Sequence, residues 1–176
     1  MNRGVILYGP PASGKDTITA ALHTLDPQYE LFQRLKAGPG RTLGYRMTTE
    51  AVLDELDERG LVVWQNRRYG ARYVIDLPTL AKQLEHGIPV LHAGQREAID
   101  AISRATPQTS WFVVSLWCPR GVARQRIAAR NTGDANDRLT AWDETPPLEY
   151  QDLVVNTAAV SAEDAAHAIH RCCVSN

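Results

Sequence analysis

Basic residues are not in surplus in this sequence of 176 residues, because 19 lysines and arginines stand against 20 aspartates and glutamates. A protein that binds nucleic acid over a broad surface usually carries a positive net charge, whereas the formal net charge here is -1. The composition therefore argues against general nucleic-acid binding. It leaves open a local basic pocket.

Cysteine is also scarce, since the sequence contains only Cys118, Cys172 and Cys173. An odd number with two adjacent members is a poor disulfide framework, and no cluster of cysteine and histidine has the spacing of zinc ligands. Reduced thiols and a cytoplasmic location are the expectation that follows.

Long hydrophobic runs are missing as well. The apolar stretch near the start covers residues 5–8, which is too short for a signal-peptide core or a membrane span. We therefore expect no membrane partner. The hydrophobic share of 44% and the charged share of 22% are ordinary for a globular protein, and the length suits one domain with a real core.

Short apolar runs alternate with amphipathic segments along the chain, which indicates an α/β protein with a parallel sheet. Residues 30–47, rich in Gly, Arg and Lys, are expected to be irregular, and residues 131–147 to form a mobile loop with one short helix. The pattern predicts strands at 5–8, 61–64, 73–75, 88–91, 111–117 and 153–155, and helices at 16–25, 49–60, 76–87, 95–104, 119–130 and 161–171.

The most specific motif is a glycine-rich loop directly after the first strand and directly before the first helix. Its sequence fits G-x-x-x-x-G-K, the phosphate-binding loop or P-loop, in which backbone N–H groups and a helix N-terminus surround phosphate oxygens. Lys15 supplies a positive charge to the phosphoryl group that is transferred. The residues expected to bind the phosphates of ATP are Gly9, Pro10, Pro11, Ala12, Ser13, Gly14, Lys15, Asp16 and Thr17.

One position of the loop departs from the usual motif. Where a serine or threonine normally holds magnesium after the lysine, this sequence has Asp16, followed by Thr17. A carboxylate is a suitable hard ligand for Mg²⁺. An acidic residue at a helix N-terminus can also simply complement the helix dipole, so both interpretations stay open.

With the loop in place, the sequence resembles the guanylate-kinase superfamily of P-loop phosphotransferases over most of its length. The resemblance rests on motifs that occur in the family's order: residues 9–15, 45–50, 69–70, Arg126 with Arg130, and 154–156. It implies a three-layer P-loop fold with a five-stranded parallel sheet. The core would comprise residues 1–29, 76–130 and 148–176, with an acceptor-binding region at 30–75 and a lid at 131–147.

The resemblance also implies roles for matched residues. Arg34, Tyr45 and Tyr69 would hold the phosphate of the acceptor, with Lys36 and Arg41 as further candidates, because guanidinium and phenol groups match a phosphate dianion.

The same resemblance implies that Arg126 and Arg130 reach the transferred phosphoryl group from the lid and that Asn156 lies near the base of ATP. The two arginines are one turn apart on the predicted helix, so they share a face. Together with Lys15 they are the predicted catalytic residues.

The sequence departs from guanylate kinases where those enzymes recognise guanine. Val63, Glu30 and the stretch 92–94 replace an acid, a serine and an acidic pair. A site that lacks such hydrogen-bond partners loses specificity by orders of magnitude, which argues against GMP. Residues 14–17 and 94–96 are similar to ribose 1,5-bisphosphate phosphokinases, whereas residues 36–44 and Tyr45 are not.

Further candidates come from position and charge. Arg67, Arg68 and Arg72 flank Tyr69 and suggest an acceptor with two anionic groups or a plain basic surface. His92 follows a core strand, where the active sites of open α/β sheets gather, but a histidine of the core is an equal alternative.

Arg96 begins the next helix, and its planar guanidinium suits phosphate. The residues predicted to bind the acceptor are therefore Arg34, Tyr45, Arg68, Tyr69, His92 and Arg96.

The expected activity is transfer of the γ-phosphoryl group of ATP, with Mg²⁺, to a small acceptor that already bears a phosphate. The first hypothesis for the acceptor is a nucleoside monophosphate whose base is recognised in a way different from guanine. The second is a sugar phosphate such as ribose 1,5-bisphosphate. A nucleotide-binding module without catalysis is a third, which the intact loop at residues 9–15 disfavours. The sequence leaves both a monomer and a homodimer open.

Overall fold

The computed structural model describes residues 2–130 and 133–175. The first two residues of the predicted lid, Asn131 and Thr132, lie outside the described residues. In chain order the elements are β1 Asn2–Tyr8, α1 Lys15–Leu25, β2 Tyr29–Leu31, β3 Arg34–Ala37, β4 Tyr45–Met47, α2 Glu50–Glu58, β5 Val62–Arg68, β6 Ala71–Asp76, α3 Leu77–His86, β7 Ile88–Ala93, α4 Arg96–Ala105, β8 Thr109–Trp117, α5 Arg120–Arg130, α6 Ala135–Asp143, β9 Leu153–Asn156 and α7 Ala162–Ser175.

The main sheet has five parallel strands, as predicted, and their order is β2-β7-β1-β8-β9. β1 lies at its centre because its run of apolar residues is buried on both faces. One face packs against α1 and α7 through residues such as Leu22 and Ile169, and the other packs against α3 and α4 through Leu80 and Ile102. The result is a three-layer α/β/α core.

A second, four-stranded sheet in the order β4-β3-β6-β5 lies within residues 34–76 and carries α2 against it. The prediction that residues 30–47 are irregular is therefore wrong, because they contain β3, β4 and the end of β2. Strands of three or four residues gain their stability from neighbouring strands that are distant in sequence. No local apolar run therefore predicts them. β5 and β6 are also longer than predicted and form an antiparallel hairpin.

Predicted helix boundaries agree with the capping contacts. The side chain of Thr49 accepts a hydrogen bond from the Val52 N–H at the start of α2, and Asp76 accepts one from the Thr79 N–H at the start of α3. Ser161 accepts a hydrogen bond from the Asp164 N–H at 3.0 Å before α7. None of the helices in the described ranges has the length and apolar character needed to span a membrane.

Candidate phosphotransfer site

The phosphate-binding loop connects β1 to α1 and contains a glycine with a special requirement at each end. A Cβ atom on Gly9 would lie 2.4 Å from the Leu116 carbonyl oxygen, so no larger residue fits there. Gly14 has a φ of 95°, a left-handed conformation that favours glycine. The loop thus presents backbone N–H groups and the N-terminus of α1 toward one point, which is the arrangement that binds phosphate.

Lys15 is folded back onto this loop. Its Nζ donates to the carbonyl oxygens of Gly9 at 2.6 Å and Pro10 at 2.8 Å and contacts the Ser13 hydroxyl at 3.3 Å. Burial lowers the pKa of Lys15 to about 7, and the nearby charges of Arg34 and Arg130 act in the same direction. A bound phosphate would supply the negative charge that favours the protonated amine.

We therefore expect the binding of ATP to take up a proton above pH 7. In the free protein Lys15 loses its proton as the pH rises through about 7, whereas the complex needs the ammonium form. Affinity should fall between pH 7.5 and 9, by up to about tenfold per pH unit, while phosphate itself is already fully ionised there. Calorimetric titration in two buffers of different ionisation enthalpy measures the proton uptake.

The Lys15→Ala variant is the control for this pH dependence, because it lacks the titrating amine. Its residual ATP affinity should change little across the same pH range. A wild-type protein that takes up no proton at pH 8.5 would contradict the prediction.

Asp16 follows Lys15 and points its carboxylate at two partners. Its Oδ2 accepts from Arg41 Nη1 at 3.0 Å, and its Oδ1 lies 3.6 Å from Nδ1 of His92. Burial opposes ionisation of Asp16, but the hydrogen bond and the charge of Arg41 favour it, so its pKa is lowered. The carboxylate is therefore charged at neutral pH.

His92, at the end of β7, is a neutral residue of the site. Burial and the charge of Lys15 lower the pKa of His92 far below its usual value. Its Nε2 is hydrogen-bonded to the Thr19 hydroxyl at 2.7 Å. His92 thus links α1 to β7 and holds its ring beside Asp16, which suits a positioning group better than a cation for phosphate.

A cavity of about 200 Å³ joins the phosphate-binding loop to the second sheet. Six cationic side chains and a single carboxylate line it, although the whole chain has a net charge of -1. Such a concentration of positive charge is the electrostatic counterpart of several phosphate groups. The charged lining residues are Lys15, Arg34, Arg41, Arg68, Arg130, Arg138 and Asp16.

Two buried cations, Arg34 and Lys36, project from β3 on the acceptor side. Arg34 donates to the His92 carbonyl oxygen, and Lys36 Nζ donates to the Arg41 carbonyl oxygen at 2.7 Å. In residues 2–130 and 133–175 neither forms an ion pair with a carboxylate. Buried cations normally have an anionic partner, so the arrangement favours an anionic ligand.

Tyrosines complete this side of the cavity. Lys36 Nζ lies 5.4 Å from the ring centre of Tyr45 and 5.5 Å from that of Tyr73. Tyr69 occupies the turn between β5 and β6 with a φ of 53°. The guanidinium of Arg138, on α6, lies 5.3 Å from the Tyr69 ring centre, so α6 contacts the turn between β5 and β6 directly.

Several predicted site residues lie outside this cavity. Arg126 donates to the carbonyl oxygens of Ala12 and Thr157, and thereby supports the phosphate-binding loop from behind. Of the predicted catalytic residues, the cavity lining includes Lys15 and Arg130. A direct role of Arg126 in phosphoryl transfer stays a prediction that this arrangement does not favour.

Arg96 and Asn156 also have other contacts. Arg96 pairs with Glu149 at 3.2 Å, and Asn156 Oδ1 accepts the Ala158 N–H at 3.0 Å in the turn after β9. Pro10 and Thr17 belong to the loop and the helix but not to the lining of the cavity. The lining does include Arg34, Tyr45, Arg68, Tyr69 and His92, which the sequence placed there.

The arginine cluster around Tyr69 divides between two faces of β5 and β6. Arg67 pairs with Glu50 at 2.8 Å, and Arg72 pairs with Glu50 at 3.2 Å and with Asp54 at 2.6 Å. Both arginines therefore hold α2 against the second sheet. Arg68, the member of the cluster predicted to bind the acceptor, is the one of the three that lines the cavity.

Sequence reasoning missed two neutral residues of the cavity, Asn66 on β5 and Gln95 just before α4. The side chains alternate along β5, so Trp64, Asn66 and Arg68 all face the cavity. That period of two was the signal available in the sequence. A correct strand boundary would have been needed to use it.

No protein-family model and no curated protein matches the sequence. Solved structures match it over nearly its whole length. A guanylate kinase from Anaplasma phagocytophilum is 12% identical with a TM-score of 0.62, covering 99% of this chain and 85% of that chain. A gluconokinase from Sinorhizobium meliloti 1021 is 18% identical with a TM-score of 0.55, covering 99% and 95%. The predicted guanylate-kinase-like P-loop kinase fold is confirmed.

Proposed function

We propose that this chain, which has the fold of P-loop kinases, transfers the γ-phosphoryl group of ATP to the phosphate of a small acceptor. The acceptor we favour is a nucleoside monophosphate whose base is recognised by contacts other than those used for guanine. The observation that carries the proposal is the single cavity shared by the phosphate-binding loop and Arg34 of β3. The phosphates of ATP would bind at the loop beside Lys15, and the phosphate of the acceptor would bind on the opposite side of the cavity beside Arg34. Positive charge is present on both sides.

The chemistry requires positioning and charge stabilisation more than covalent participation. Lys15 would leave the loop carbonyls and neutralise the transferred group, with Arg130 and Arg138 approaching from the lid side. Arg34, Arg68 and the phenol of Tyr69 would hold the acceptor's phosphate. A phosphate dianion is already a competent nucleophile, so no general base is needed.

Asp16 fits the part of a magnesium ligand. The residues described contain no group of three acidic, histidine or cysteine side chains that could hold a metal alone. Mg²⁺, however, commonly takes one or two carboxylates and completes its shell with water and nucleotide phosphates. The half-exposed carboxylate of Asp16 next to the loop offers one such oxygen, and the ion would neutralise developing charge on the phosphates.

The guanine-reading positions support a different acceptor. Val63 packs against the core cluster under α3 and α4, and Glu30 lies on the edge strand β2, outside the cavity lining. No carboxylate other than Asp16 lines the cavity in the described part of the chain. A guanine edge, which offers two adjacent N–H donors, would lack its usual acidic partner.

A sugar phosphate with two anionic groups is the second candidate. A smaller cavity of about 160 Å³ adjoins the first and is lined by Arg34, Lys36, Arg41, Arg68 and Arg138, with Asp134 as its acidic residue. This excess of cations favours more than one anion on the acceptor.

Formation of ADP from Mg-ATP across a panel of acceptors tests the proposal. The panel contains the four common nucleoside monophosphates, ribose 5-phosphate and ribose 1,5-bisphosphate, with EDTA as the control for metal dependence. We expect one monophosphate other than GMP to give at least about tenfold higher kcat/KM than the rest. Turnover restricted to the bisphosphate would establish the second candidate. ATP binding with no turnover on any acceptor would favour a non-catalytic module.

A further inference from the structure

Asn66 lines the cavity of about 200 Å³ at the phosphate-binding loop, here called the phosphate cavity, and its side chain carries an unsatisfied oxygen. Asn66 Oδ1 is buried and has no hydrogen-bond partner, which also holds for two other side-chain atoms in the described ranges, on Gln83 and Trp142. Asn66 is the only residue of the three that lines the phosphate cavity. Buried polar groups are nearly always paired, so an orphan acceptor in a cavity indicates that a ligand supplies the donor.

Asn66 is held in place by a second amide. Its Nδ2 donates to Gln95 Oε1 at 2.7 Å, which joins β5 to the start of α4. The side chain of Gln95 does not cap α4. The hydrogen bond leaves the Asn66 carbonyl oxygen as an acceptor and the Gln95 amino group as a donor for a ligand.

Uncharged residues, one of them aromatic, lie on one side of the amide pair. Trp64, on the same face of β5, and the small buried side chain of Ala98, on α4, line the phosphate cavity as the pair does. On its other side Asn66 also lines the smaller, cation-rich cavity, whereas Gln95 lines only the phosphate cavity. Gln95, Trp64 and Ala98 thus form a neutral part of the phosphate cavity, and Asn66 lies where this part meets the cationic residues.

We infer that the Asn66–Gln95 pair is the specificity site for the acceptor and takes a planar, uncharged ring that carries a donor beside an acceptor. This inference rests on the proposed acceptor cavity and deepens it. The ring donates to Asn66 Oδ1 and accepts from Gln95, with Trp64 as the flat apolar wall. The amidine edges of adenine and cytosine have this donor–acceptor pattern, with one donor next to one ring nitrogen.

Direct binding tests the site without requiring catalysis. The probes are AMP, CMP, GMP and UMP, with ribose 5-phosphate as the reference that has the same phosphate but no ring, each titrated by calorimetry. We expect AMP or CMP to bind at least about tenfold more tightly than ribose 5-phosphate. Asn66→Leu should remove about 10- to 100-fold of that preference and leave ribose 5-phosphate within about twofold, because only the ring contact is lost.

Asn2→Leu is the matched control, because it makes the same substitution at an exposed position at the start of β1, the end away from the loop. It should change neither affinity. The melting temperature of Asn66→Leu should equal or exceed that of the wild type, since the substitution removes an unsatisfied buried atom. A purely structural Asn66 would instead give a lower melting temperature and equal weakening of all five probes, which would overturn the inference.

Two other results also decide against the amide pair as a ring site. One is ribose 5-phosphate binding as tightly as every monophosphate, and the other is a preference for GMP that survives Asn66→Leu. The proposed kinase activity fails separately, through absence of ADP formation on the acceptor panel. A ring preference lost in Asn66→Leu without any turnover would therefore keep the specificity site and reject the kinase.

Discussion

Replacing Lys15 with alanine is expected to lower kcat by about 10³-fold or more and to weaken ATP binding. The amine donates to the carbonyl oxygens of Gly9 and Pro10 in the phosphate-binding loop, and it sits at the N-terminus of α1. A preorganised charge of this kind contributes about 3–4 kcal/mol to transition-state stabilisation. Initial-rate measurements with the best acceptor and calorimetric titration with ATP give the two quantities.

Lys82→Ala is the matched control for this result. Lys82 lies exposed on α3, so the same change of side chain should leave both kcat and ATP affinity unaltered. The fold of Lys15→Ala should be intact, because the substitution removes a buried amine whose pKa is already lowered. Unchanged ATP affinity in this variant would rule out the kinase proposal and the phosphate-binding role of the loop together.

Replacing Arg34 with methionine should separate activity from stability. The guanidinium is buried on β3, and burial lowers its pKa, yet it donates to the carbonyl oxygen of His92 and pairs with no carboxylate among the described residues. We expect the KM for the acceptor to rise about 100-fold, because a buried phosphate contact is lost. The free energy of unfolding without ligand should stay equal or increase by about 1 kcal/mol, since an uncompensated buried charge has gone.

Arg46→Met provides the contrast. Arg46 donates to the nearly buried carboxylate of Asp76 and to Thr79 and Gln33, and none of these contacts lies in the phosphate cavity. Its loss should lower the free energy of unfolding by about 2–3 kcal/mol and leave the acceptor KM unchanged. Urea unfolding and acceptor titrations measure both effects. If Arg34→Met proves as destabilising as Arg46→Met, then Arg34 is a structural residue.

Local sequence signals predicted most of the parallel core, because apolar runs, glycines and capping residues mark the same element boundaries there. The run at residues 5–8 is apolar throughout, and glycines or capping residues such as Asp76 and Ser161 mark where neighbouring elements begin. In residues 34–76, which form the second sheet, apolar runs and capping residues do not mark the strands in this way. β3 and β4 are short, carry arginine and lysine, and exist because they pair with each other and because β3 also pairs with β6, across up to some 40 residues of chain.

The site divides in the same way. The loop and Lys15 form a contiguous motif, so their geometry follows from the sequence alone. The fate of Arg67 and Arg72 depends instead on which face of a strand meets α2, and the acids of α2 that bind them are 15 to 22 residues away. Asn66 escaped notice for a related reason, because its importance lies in a contact with Gln95 that only the folded chain creates.

Arg46 also has a consequence for how the protein could be rebuilt. The chain leaves the main sheet near Gln33 and returns to the core through α3, which begins after Asp76, and Arg46 binds Gln33, Asp76 and Thr79 of α3. Residues 34–75 are therefore joined to the core at two neighbouring connections, which the side chain of Arg46 clasps together. A segment of different specificity that keeps this clasp could be transplanted between Gln33 and Asp76 while the nucleotide-binding half stays as it is.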